Sequence, residues 1–561
     1  MTSAQAAAQP PASGVSVSAP GKVLLTGGYL VLDPRFSGLV VATDARFVVH
    51  VAAESESDAA AAAAAAGTSE GGVRVRVRSP QFIDGAWDRT IALPGSRVAG
   101  VPPHAAGNVF VDTALECVFA VLERRMGPAA LAAAAGPCGL RITVNADNDF
   151  YSQTDDLDRR GLPHTADALA SLPQFNATHT RIADVKKTGL GSSAAMTTSL
   201  CAALLVFFGA VEPAAMSVLV RDAGADVDAA IAAAHRAQLD LVYRIAQISH
   251  CLAQRNSGSG FDVSSAAVGS HEYTRYDPVV LDSLVRTIKE TGQIDADALY
   301  EAVERGTWTQ RITPFKMPPG LSLMLGDVSV GTNTVKFVSK VLRWRAEEPE
   351  LGEFLWQQLN RANTRAVTAL KRLNALHAAD AVEYAASLEL FAAVPASHWA
   401  AAIPRTASID GAGADAALRD LVNERLAALA SGDKAANIDQ GEALRLAALA
   451  HDASKPTLAC LVDTLGIFGD IRSLLRVVSD RAQVPITPPE QLRLIDACHD
   501  VAGLLAAGIP GAGGYDAIFC IVVSDEAKRG VQRVWSAWTE TAVMPLLQNE
   551  AKFGLHAEIH G

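Results

Sequence analysis

A turn of small residues leads directly into a long apolar segment between Lys187 and Val211. The turn begins "KTGLGSSAAMTTSL", and the run "LCAALLVFFGAV", which opens at Leu200, contains no charged residue. A run of this length is too short to span a bilayer, so it predicts a buried helix. The first N–H groups of a helix lack partners inside it, and the helix dipole is positive there. The turn is therefore suited to an anion such as phosphate, although an ordinary helix cap is the alternative.

Length and composition indicate a large globular enzyme. The chain has 561 residues, which is beyond the size at which one hydrophobic core stops growing, so two or more lobes are expected. Hydrophobic residues make up 49% and charged residues 19%. The chain has 48 basic and 60 acidic residues, so its net charge is −12. This negative charge argues against nucleic acid or an anionic membrane as the main partner.

Cysteine usage and the first residues predict a cytoplasmic location. The seven cysteines are scattered and never form C-x-x-C, which is typical of a reduced compartment without structural zinc. No Lys or Arg precedes Lys22, and this segment has no continuous apolar core. A secretory signal or transit peptide is therefore not predicted.

The order of the patterns predicts an α+β fold with two lobes. Alternating and β-branched segments such as "LVVATDARFVVHVAA" and "VRVRVRS" precede residue 188, helical patterns follow it, and strands return in "LSLMLGDVSV" and "AIFCIVV". The tract Ala59 to Ala66 is expected to be an exposed insertion. We expect a flexible tail over residues 1–15, an N-terminal lobe over 16–230, and a C-terminal lobe with helical insertions over 231–561.

Two further glycine-rich stretches accompany the first turn, which matches neither G-x-x-x-x-G-K-[ST] nor G-x-G-x-x-G. The stretch "SAPGKVLLTGGYLVLD" places Lys22 in a Pro-Gly turn at the mouth of a strand. The stretch "GIPGAGGYDAIFCIV" places four glycines before a buried strand. Together the three stretches resemble the motifs of the GHMP kinase family of small-molecule kinases.

The resemblance extends from about residue 16 to about residue 525. Within the family it is greatest to the eukaryotic phosphomevalonate kinases, and it includes four more segments: "SPQFIDGAW" (Ser79 to Trp87), "NDFYSQ" (Asn148 to Gln153), "GSGFDVSSAAVGS" (Gly258 to Ser270) and "GDVSVGTNTVKFVSKVLRWR" (Gly326 to Arg345). It implies the two-lobed GHMP kinase fold, with mixed sheets and packed helices. It also implies ATP-dependent phosphorylation of phosphomevalonate, on the route to isoprenoids and sterols.

The resemblance assigns the middle motif to the triphosphate of ATP. The ATP-binding loop is formed by Lys187, Gly189, Leu190, Gly191, Ser192, Ser193 and Ala194. Ser193 is implied as the hydroxyl ligand of Mg²⁺, an ion that suits hydroxyl and phosphate oxygens and keeps most of its waters. For Ser192, a helix-cap role is the alternative, and both roles can coexist.

Lys22 and Asp262 are the residues to which the resemblance gives the catalytic roles. A lysine fixed at this position can neutralise charge on the transferred phosphoryl group. Asp262 matches the aspartate that related kinases hold beside the acceptor. The alternatives are an exposed surface lysine and an acidic residue at a helix N-terminus, where the dipole favours it.

Substrate contact is expected from residues near both other motifs. Gly511, Ala512, Gly513 and Gly514 are assigned to it through backbone N–H groups, although a tight turn before a strand is the alternative for each glycine. The other residues assigned to the substrate are Tyr29, Ser259, Gly260, Thr334 and Lys336. Lys187, Thr334 and Lys336 are candidates for the phosphate already on the acceptor, or else exposed polar residues.

Two departures from the motifs of mevalonate kinases leave parts of the site open. Those kinases carry a glutamate in a G-E-[HY] pattern, where this chain has Gly27, Gly28 and Tyr29. They also carry a carboxylate metal ligand about eleven residues before the catalytic aspartate. In this chain the residue eleven positions before Asp262 is Cys251, which is not a carboxylate. Metal ligands beyond Ser193 are therefore not assigned.

Two other functions compete with the one that the resemblance implies. The first is a GHMP kinase with a hydroxyl acceptor, such as mevalonate kinase. The second is a catalytically silent nucleotide sensor, which the presence of both Lys22 and Asp262 disfavours. The expected partners are ATP and phosphomevalonate, without nucleic acid or membrane, in a monomer or homodimer.

Overall fold

The computed structural model describes residues 14–55, 72–102, 104–216, 229–328, 334–403, 416–430 and 438–560. The tract Ala59 to Ala66 and all but two residues of the expected N-terminal tail lie outside these ranges. The first strand already begins at Val15, the last residue of that expected tail.

A nine-stranded sheet forms the first layer of the fold. Its order is β13-β1-β2-β6-β3-β4-β5, with β7 paired to β2 and β8 paired to β7. All pairs are antiparallel except β3 with β6, so the sheet is mixed, as predicted. The strands are β1 (Val15–Thr26), β2 (Ser37–Ala53), β3 (Gly72–Arg78), β4 (Ala86–Ala92), β5 (Val98–Gly100), β6 (Leu140–Ala146), β7 (His271–Thr274), β8 (Arg311–Pro314) and β13 (His556–Ile559).

Alternating patterns in the sequence determine which side chains of this sheet enter the core. In β3 the valines are buried while the arginines between them are partly exposed, as expected for period-2 alternation. Strand β2 is long and pairs with two different strands along its length. Its residues 37–40 pair with β7, and its residues 47–53 pair with β6. The sheet therefore branches at β2.

A second, four-stranded sheet is wholly antiparallel and has the order β10-β11-β9-β12. The predicted strands "LSLMLGDVSV" and "AIFCIVV" are confirmed as β9 and β11, which lie side by side at its centre. All six residues of β11 are buried. The strands are β9 (Ser322–Asp327), β10 (Leu504–Gly508), β11 (Ala517–Val522) and β12 (Met544–Pro545).

The helices before residue 270 pack mainly around the first sheet. The apolar segment of the sequence is confirmed as a buried helix up to Phe207, where α5 ends, and every residue of α5 except Ser193 is buried. It lies against β1 and β2 and contacts α1, α7 and α8. These helices are α1 (Val109–Met126), α2 (Pro128–Ala135), α3 (Thr154–Arg160), α4 (Ala166–Ala170), α5 (Ser192–Phe207), α6 (Pro213–Met216), α7 (Ala229–Gln254) and α8 (Phe261–Val268).

The remaining helices form the later part of the predicted helical region. The long helices α12 and α17 pack against each other, and α17 also covers β10 of the second sheet. In chain order these helices are α9 (Val279–Thr291), α10 (Ala296–Glu304), α11 (Thr334–Glu347), α12 (Pro349–Ala379), α13 (Ala381–Ala392), α14 (Ala396–Ala402), α15 (Ala416–Ala430), α16 (Gln440–Ala450), α17 (Pro456–Arg481), α18 (Pro489–His499) and α19 (Asp525–Ala537).

The chain returns to the first sheet after leaving it. Strands β7, β8 and β13 all come from the part of the chain after residue 230 and pair in the nine-stranded sheet. The α+β class is confirmed, whereas the division of the lobes at residue 230 stays a prediction. Among the described residues, no helix is both long enough and apolar enough to cross a membrane.

Candidate active site

The turn predicted to hold phosphate ends at the first residue of α5. Gly189 and Gly191 have φ angles of 83° and 80°, in the left-handed region that glycine adopts at little cost. Gly191 is the residue before the helix, and no side chain caps the helix there. A Cβ atom on Gly191 would lie 3.0 Å from Cε of Lys22. Glycine at this position therefore lets the lysine pass close to the turn.

The two serines of the loop have different surroundings. Ser192 is the first residue of α5 and is buried, and its hydroxyl is hydrogen-bonded to the phenol of Tyr151. The helix-cap alternative for Ser192 is therefore wrong, because Gly191 occupies the cap position. Ser193 is only partly buried, and its Oγ lies 3.1 Å from Nε2 of His250. The flanking Leu190 and Ala194 are buried.

The Pro-Gly turn that was expected before Lys22 is a bulge inside a strand. Pro20 and Gly21 both belong to β1, at the point where its register with β2 shifts. A Cβ atom on Gly21 would lie 2.7 Å from Oγ1 of Thr43. The prediction of a turn is wrong because the shift in pairing absorbs the local bend, as β-bulges do.

Lys22 is fixed to the phosphate loop by its backbone and its side chain. Its N–H donates to the carbonyl oxygen of Leu190 at 2.9 Å, and Nζ donates to that of Gly189 at 2.8 Å. Burial lowers the pKa of the Lys22 ammonium, and the charges of Asp262 and Asp516 partly oppose this shift. The site thus places one cation between the loop and two carboxylates, and the sequence reasoning did not include Asp516.

Asp262 lies in the first turn of α8, whose start is shaped by a glycine. Gly260 precedes the helix with a φ angle of 84°, and a Cβ atom there would lie 2.8 Å from Tyr273 Oη. The Oδ1 atom of Asp262 accepts from the N–H of Val263 at 3.0 Å. Its side chain is 23% exposed, so it remains partly accessible to solvent.

Two side chains, Tyr273 in β7 and Arg275 just after it, hold the loop that leads to Asp262. The Tyr273 hydroxyl donates to the carbonyl oxygen of Ser259 at 2.9 Å. Arg275 donates to the carbonyl oxygen of Leu32 at 2.7 Å and to Oγ of Ser257 at 3.2 Å. Because Leu32 ends the short 3-10 helix Gly28–Leu32, Arg275 connects the first motif to the Asp262 loop. Sequence reasoning missed this arginine, which belongs to none of the motifs.

His250 is a second residue that sequence reasoning missed. It is buried in α7, and its Nε2 lies 3.1 Å from Ser193 Oγ and 4.0 Å from Asp262 Oδ2. Burial lowers the pKa of the His250 imidazole, and the charge of Asp262 opposes the shift. The adjacent Cys251, reached by the ungapped count, instead donates to Ser257 O at 3.1 Å. The count back from Asp262 that ends at Cys251 would have reached His250 if it had allowed a shift of one residue.

The third glycine-rich motif lies beside β1. The N–H of Gly511 donates to the carbonyl oxygen of Leu24 at 3.1 Å, and the N–H of Gly514 donates to that of Ile486 at 2.9 Å. Gly513 also donates its N–H within the protein, to the carbonyl oxygen of Pro510. The expected binding of substrate through these three N–H groups is therefore wrong for this structure, because each already has an acceptor. Substrate contact by other atoms of the motif stays a prediction.

Tyr29 connects the first and third motifs. Its side chain is buried, and its hydroxyl donates to the carbonyl oxygen of Ala512 at 2.7 Å. Burial raises the pKa of this phenol above its ordinary value, so it remains a donor. The tyrosine thus has a structural partner, and its contact with substrate stays a prediction.

Three predicted phosphate-binding residues lie at the surface. Lys187 is exposed and pairs with Tyr151 in an isolated β-bridge. Thr334 and Lys336 are exposed in the first turn of α11. Their roles toward a phosphate stay predictions.

The comparisons with known proteins identify the family. The model of the family "GHMP kinases C terminal" matches residues 459–541. A Lin0012 protein from Listeria innocua has a similar crystal structure, with a TM-score of 0.55 and 14% identity, covering 98% of this chain and 100% of that chain. That likeness concerns the fold alone. The family model covers a part of the chain near its end and indicates the class, a GHMP-type small-molecule kinase.

Relatives that match along nearly the whole chain identify the branch. The peroxisomal phosphomevalonate kinase of Arabidopsis thaliana is 32% identical over 556 residues, covering 97% of this chain and 96% of the relative. The phosphomevalonate kinase erg8 of Aspergillus fumigatus is 29% identical over 537 residues, covering 91% and 88%. The chain belongs to the phosphomevalonate kinase family. The fold and family implied by the sequence resemblance are thereby confirmed.

Proposed function

We propose that the protein transfers the γ-phosphoryl group of ATP to phosphomevalonate and releases ADP and mevalonate diphosphate. An oxygen of the acceptor phosphate bonds to the γ-phosphorus while the bond from that phosphorus to the β,γ-bridging oxygen breaks. The observation that carries the proposal is the position of Lys22, whose Nζ is held at 2.8 Å from Gly189 O on the phosphate loop. The names of the relatives support the choice of acceptor.

The start of α5 supports binding of the ATP phosphates. The N–H groups of its first turn have no partners within the helix and lie at the positive end of its dipole. The left-handed glycines Gly189 and Gly191 allow the backbone to approach the phosphates closely. No side chain caps this helix, so a ligand phosphate can satisfy these groups.

The residues present fit a Mg²⁺ ion that arrives with the nucleotide. Among the described residues there is no group of three or more His, Cys, Asp or Glu that could hold a metal. Mg²⁺ commonly binds through one or two protein oxygens together with substrate phosphates. Ser193 and Asp262 would hold it here, and it would supply positive charge to the β- and γ-phosphates.

Lys22 stabilises the charge that develops during transfer. Phosphoryl transfer depends mainly on positioning and electrostatics. The ammonium group cannot swing freely, because Nζ is hydrogen-bonded to Gly189 and the backbone to Leu190. A cation fixed before the reaction does not have to reorganise during it, which makes it effective.

Asp262 orients charges and does not remove a proton. The acceptor is a phosphate monoester whose second pKa is about 6, by analogy with phosphorylated side chains. Near pH 7 its attacking oxygen is already mostly ionised, so a strong general base is not needed. The carboxylate of Asp262 acts on the Lys22 ammonium, and it would otherwise repel the acceptor. Ser259 and Gly260, which lie in the same loop, would shape the acceptor pocket.

The second phosphate-binding region belongs to the acceptor. Lys187, Thr334 and Lys336 are exposed, so their side chains are accessible to a phosphate. A Lys336→Ala variant should raise the KM for phosphomevalonate and leave the KM for ATP unchanged. Equal effects on both constants would contradict this assignment.

Measurement of ADP release with three acceptors tests the proposed function. The protein should turn over phosphomevalonate and should be inactive with mevalonate and galactose. Turnover of mevalonate instead would assign a hydroxyl acceptor. Binding of ATP without turnover of any acceptor would indicate a nucleotide sensor.

Location and assembly complete the proposal. We place the protein in the cytoplasm, although the Arabidopsis relative is named as peroxisomal. Fluorescence microscopy of the tagged protein with a peroxisomal marker distinguishes a cytoplasmic from a peroxisomal location.

A monomer or homodimer is expected. Light scattering of the purified protein gives the mass of the assembly, and one chain has a mass of 58.6 kDa.

A further inference from the structure

His250 lies where three elements of the site meet. It belongs to α7, while Ser193 opens α5 and Asp262 opens α8. Its Nε2 is 3.1 Å from Ser193 Oγ and 4.0 Å from Asp262 Oδ2. The ring is only 3% exposed and packs against the ring of Phe110 at a centroid distance of 5.5 Å. The imidazole therefore has little room to turn.

The surroundings of Nε2 define the direction of its hydrogen bond to Ser193. The side-chain amide nitrogen of Gln254 lies 3.2 Å from the same Nε2 atom. An amide nitrogen can only donate, so it faces a lone pair on Nε2. A hydroxyl that approaches the same lone pair must also donate. With the Gln254 amide placed this way, Ser193 is the donor and His250, as the Nδ1–H tautomer, is the acceptor.

The direction of this hydrogen bond matters because the Ser193 hydroxyl is also the proposed ligand of the metal ion. A hydroxyl has one hydrogen and two lone pairs, and a metal binds only through a lone pair. When the hydrogen points to His250, both lone pairs of Ser193 point away from the imidazole. The neighbouring residue Cys251 cannot take this role, because its thiol donates to Ser257 O on the other side.

We propose that His250 is a positioning residue that accepts a hydrogen bond from the Ser193 hydroxyl and thereby directs the lone pairs of Ser193 to the nucleotide-bound metal ion. The inference rests on the proposed binding of Mg²⁺ with the nucleotide, but it does not depend on which acceptor is phosphorylated. Groups that orient a metal ligand typically change metal affinity 10- to 100-fold when they are removed. His250 should have an effect of this order.

ADP binding with and without Mg²⁺ tests the proposal, measured by calorimetry on the full chain in the absence of any acceptor. His250→Leu should weaken ADP binding about 10-fold or more in Mg²⁺ and leave it unchanged in EDTA. Ser193→Ala should show the same pattern, and the double variant should lose no more than either single variant. His377→Leu, which removes a histidine from α12, is the control and should bind as the wild type does.

Two further variants cover the case in which leucine at position 250 prevents folding. His250→Gln carries an acceptor oxygen near the position of Nε2, whereas the shorter His250→Asn carries it near Nδ1. The glutamine variant should keep the Mg²⁺-dependent gain in ADP affinity, and the asparagine variant should lose it. An equal gain in both variants, or independent losses from positions 250 and 193, would overturn the proposal. Since no acceptor is present, a wrong acceptor assignment leaves these outcomes unaffected.

Discussion

The Tyr29 hydroxyl donates a hydrogen bond to the carbonyl oxygen of Ala512 at 2.7 Å, across 483 positions of the chain. Beside it, the N–H of Gly511 donates to the carbonyl oxygen of Leu24 at 3.1 Å. The two bonds connect the first glycine-rich stretch to the third. The strand that carries Lys22 is thereby attached to the loop that precedes β11.

Replacing Tyr29 by Phe should remove the hydrogen bond to Ala512 without leaving a cavity, because the ring is retained. Loss of one neutral hydrogen bond should lower the free energy of unfolding by about 1 kcal/mol, and the KM for phosphomevalonate should rise. Urea unfolding and steady-state kinetics measure the two effects. Tyr300→Phe on α10 is the matched control, and equal stability of both variants would contradict the role of Tyr29.

Arg275 should matter for the acceptor more than for ATP. Arg275→Met removes the donors to Leu32 O and Ser257 Oγ, so the first motif and the Asp262 loop lose their link. The KM for phosphomevalonate should rise about 10-fold or more, equivalent to about 1.4 kcal/mol, while the KM for ATP stays the same. Arg286→Met, at an exposed site on α9, should change neither constant. A matching rise in the KM for ATP would show a general loss of structure.

Lys22→Met should reduce kcat by at least about 100-fold, the usual cost of one preorganised donor, with a much smaller effect on ATP binding. Lys186→Met, just before the phosphate loop, is the control, since Lys186 pairs with Asp155 at 2.9 Å. Because burial lowers the pKa of Lys22, kcat should also fall at an alkaline pH below the ordinary lysine value. Near-normal kcat in the Met variant would show that Lys22 has no catalytic role.

Asp262→Asn should fold normally and lose kcat by about 100-fold. If Asp262 only orients Lys22, the acidic limb of kcat/KM in the wild type follows the acceptor phosphate, with a pKa of about 6. A fluorophosphonate analogue with a lower phosphate pKa should move that limb to lower pH. A limb that stays in place would belong to the enzyme and would restore Asp262 as a general base.

Asp149 should make the fold less stable at neutral pH than in weak acid. Burial raises the pKa of this carboxyl from 3.8 to about 6, so between these values the native state binds more protons than the unfolded state. Stability from this group therefore falls as the pH rises from about 4 to about 6. Asp149→Asn keeps an acceptor for the N–H of Leu547 and should stabilise the protein at pH 8 by up to about 3 kcal/mol.

Thermal unfolding of the Asp149→Asn variant at several pH values measures this difference. The gain in Tm should be largest at pH 8 and should vanish below about pH 3, where the wild-type carboxyl is protonated in both states. Asp158→Asn serves as the control because Asp158 is 63% exposed. A gain that does not depend on pH would show that charge is not the cause.

Local patterns in the sequence predicted the elements that carry the site but not how they meet. The apolar run in α5 and the alternation in β3 identify these elements because burial follows their periodicity. Pairing of β2 with β7, or of β1 with β13, joins segments far apart in the chain. No local pattern specifies such pairs.

The same limit applies to single residues of the site. Lys22 and Asp262 were found because they belong to recognisable motifs. His250, Arg275 and Asp516 were missed because their roles depend on contacts between elements distant in sequence. The N–H groups of Gly511 and Gly514 were misassigned because their acceptors, Leu24 and Ile486, lie outside the motif.

The pairing of β1 with β13 has a consequence for how the protein is made. Ser16 and His560, which are hydrogen-bonded across these strands, are 544 residues apart. At 5 to 20 residues per second, a ribosome needs about 30 to 110 s to make the intervening chain. Throughout that time the part of β1 that β13 covers, Val15 to Ser18, has no neighbour on that edge. An open strand edge readily pairs with other chains, so nascent molecules are exposed to misassembly here until β13 has been made.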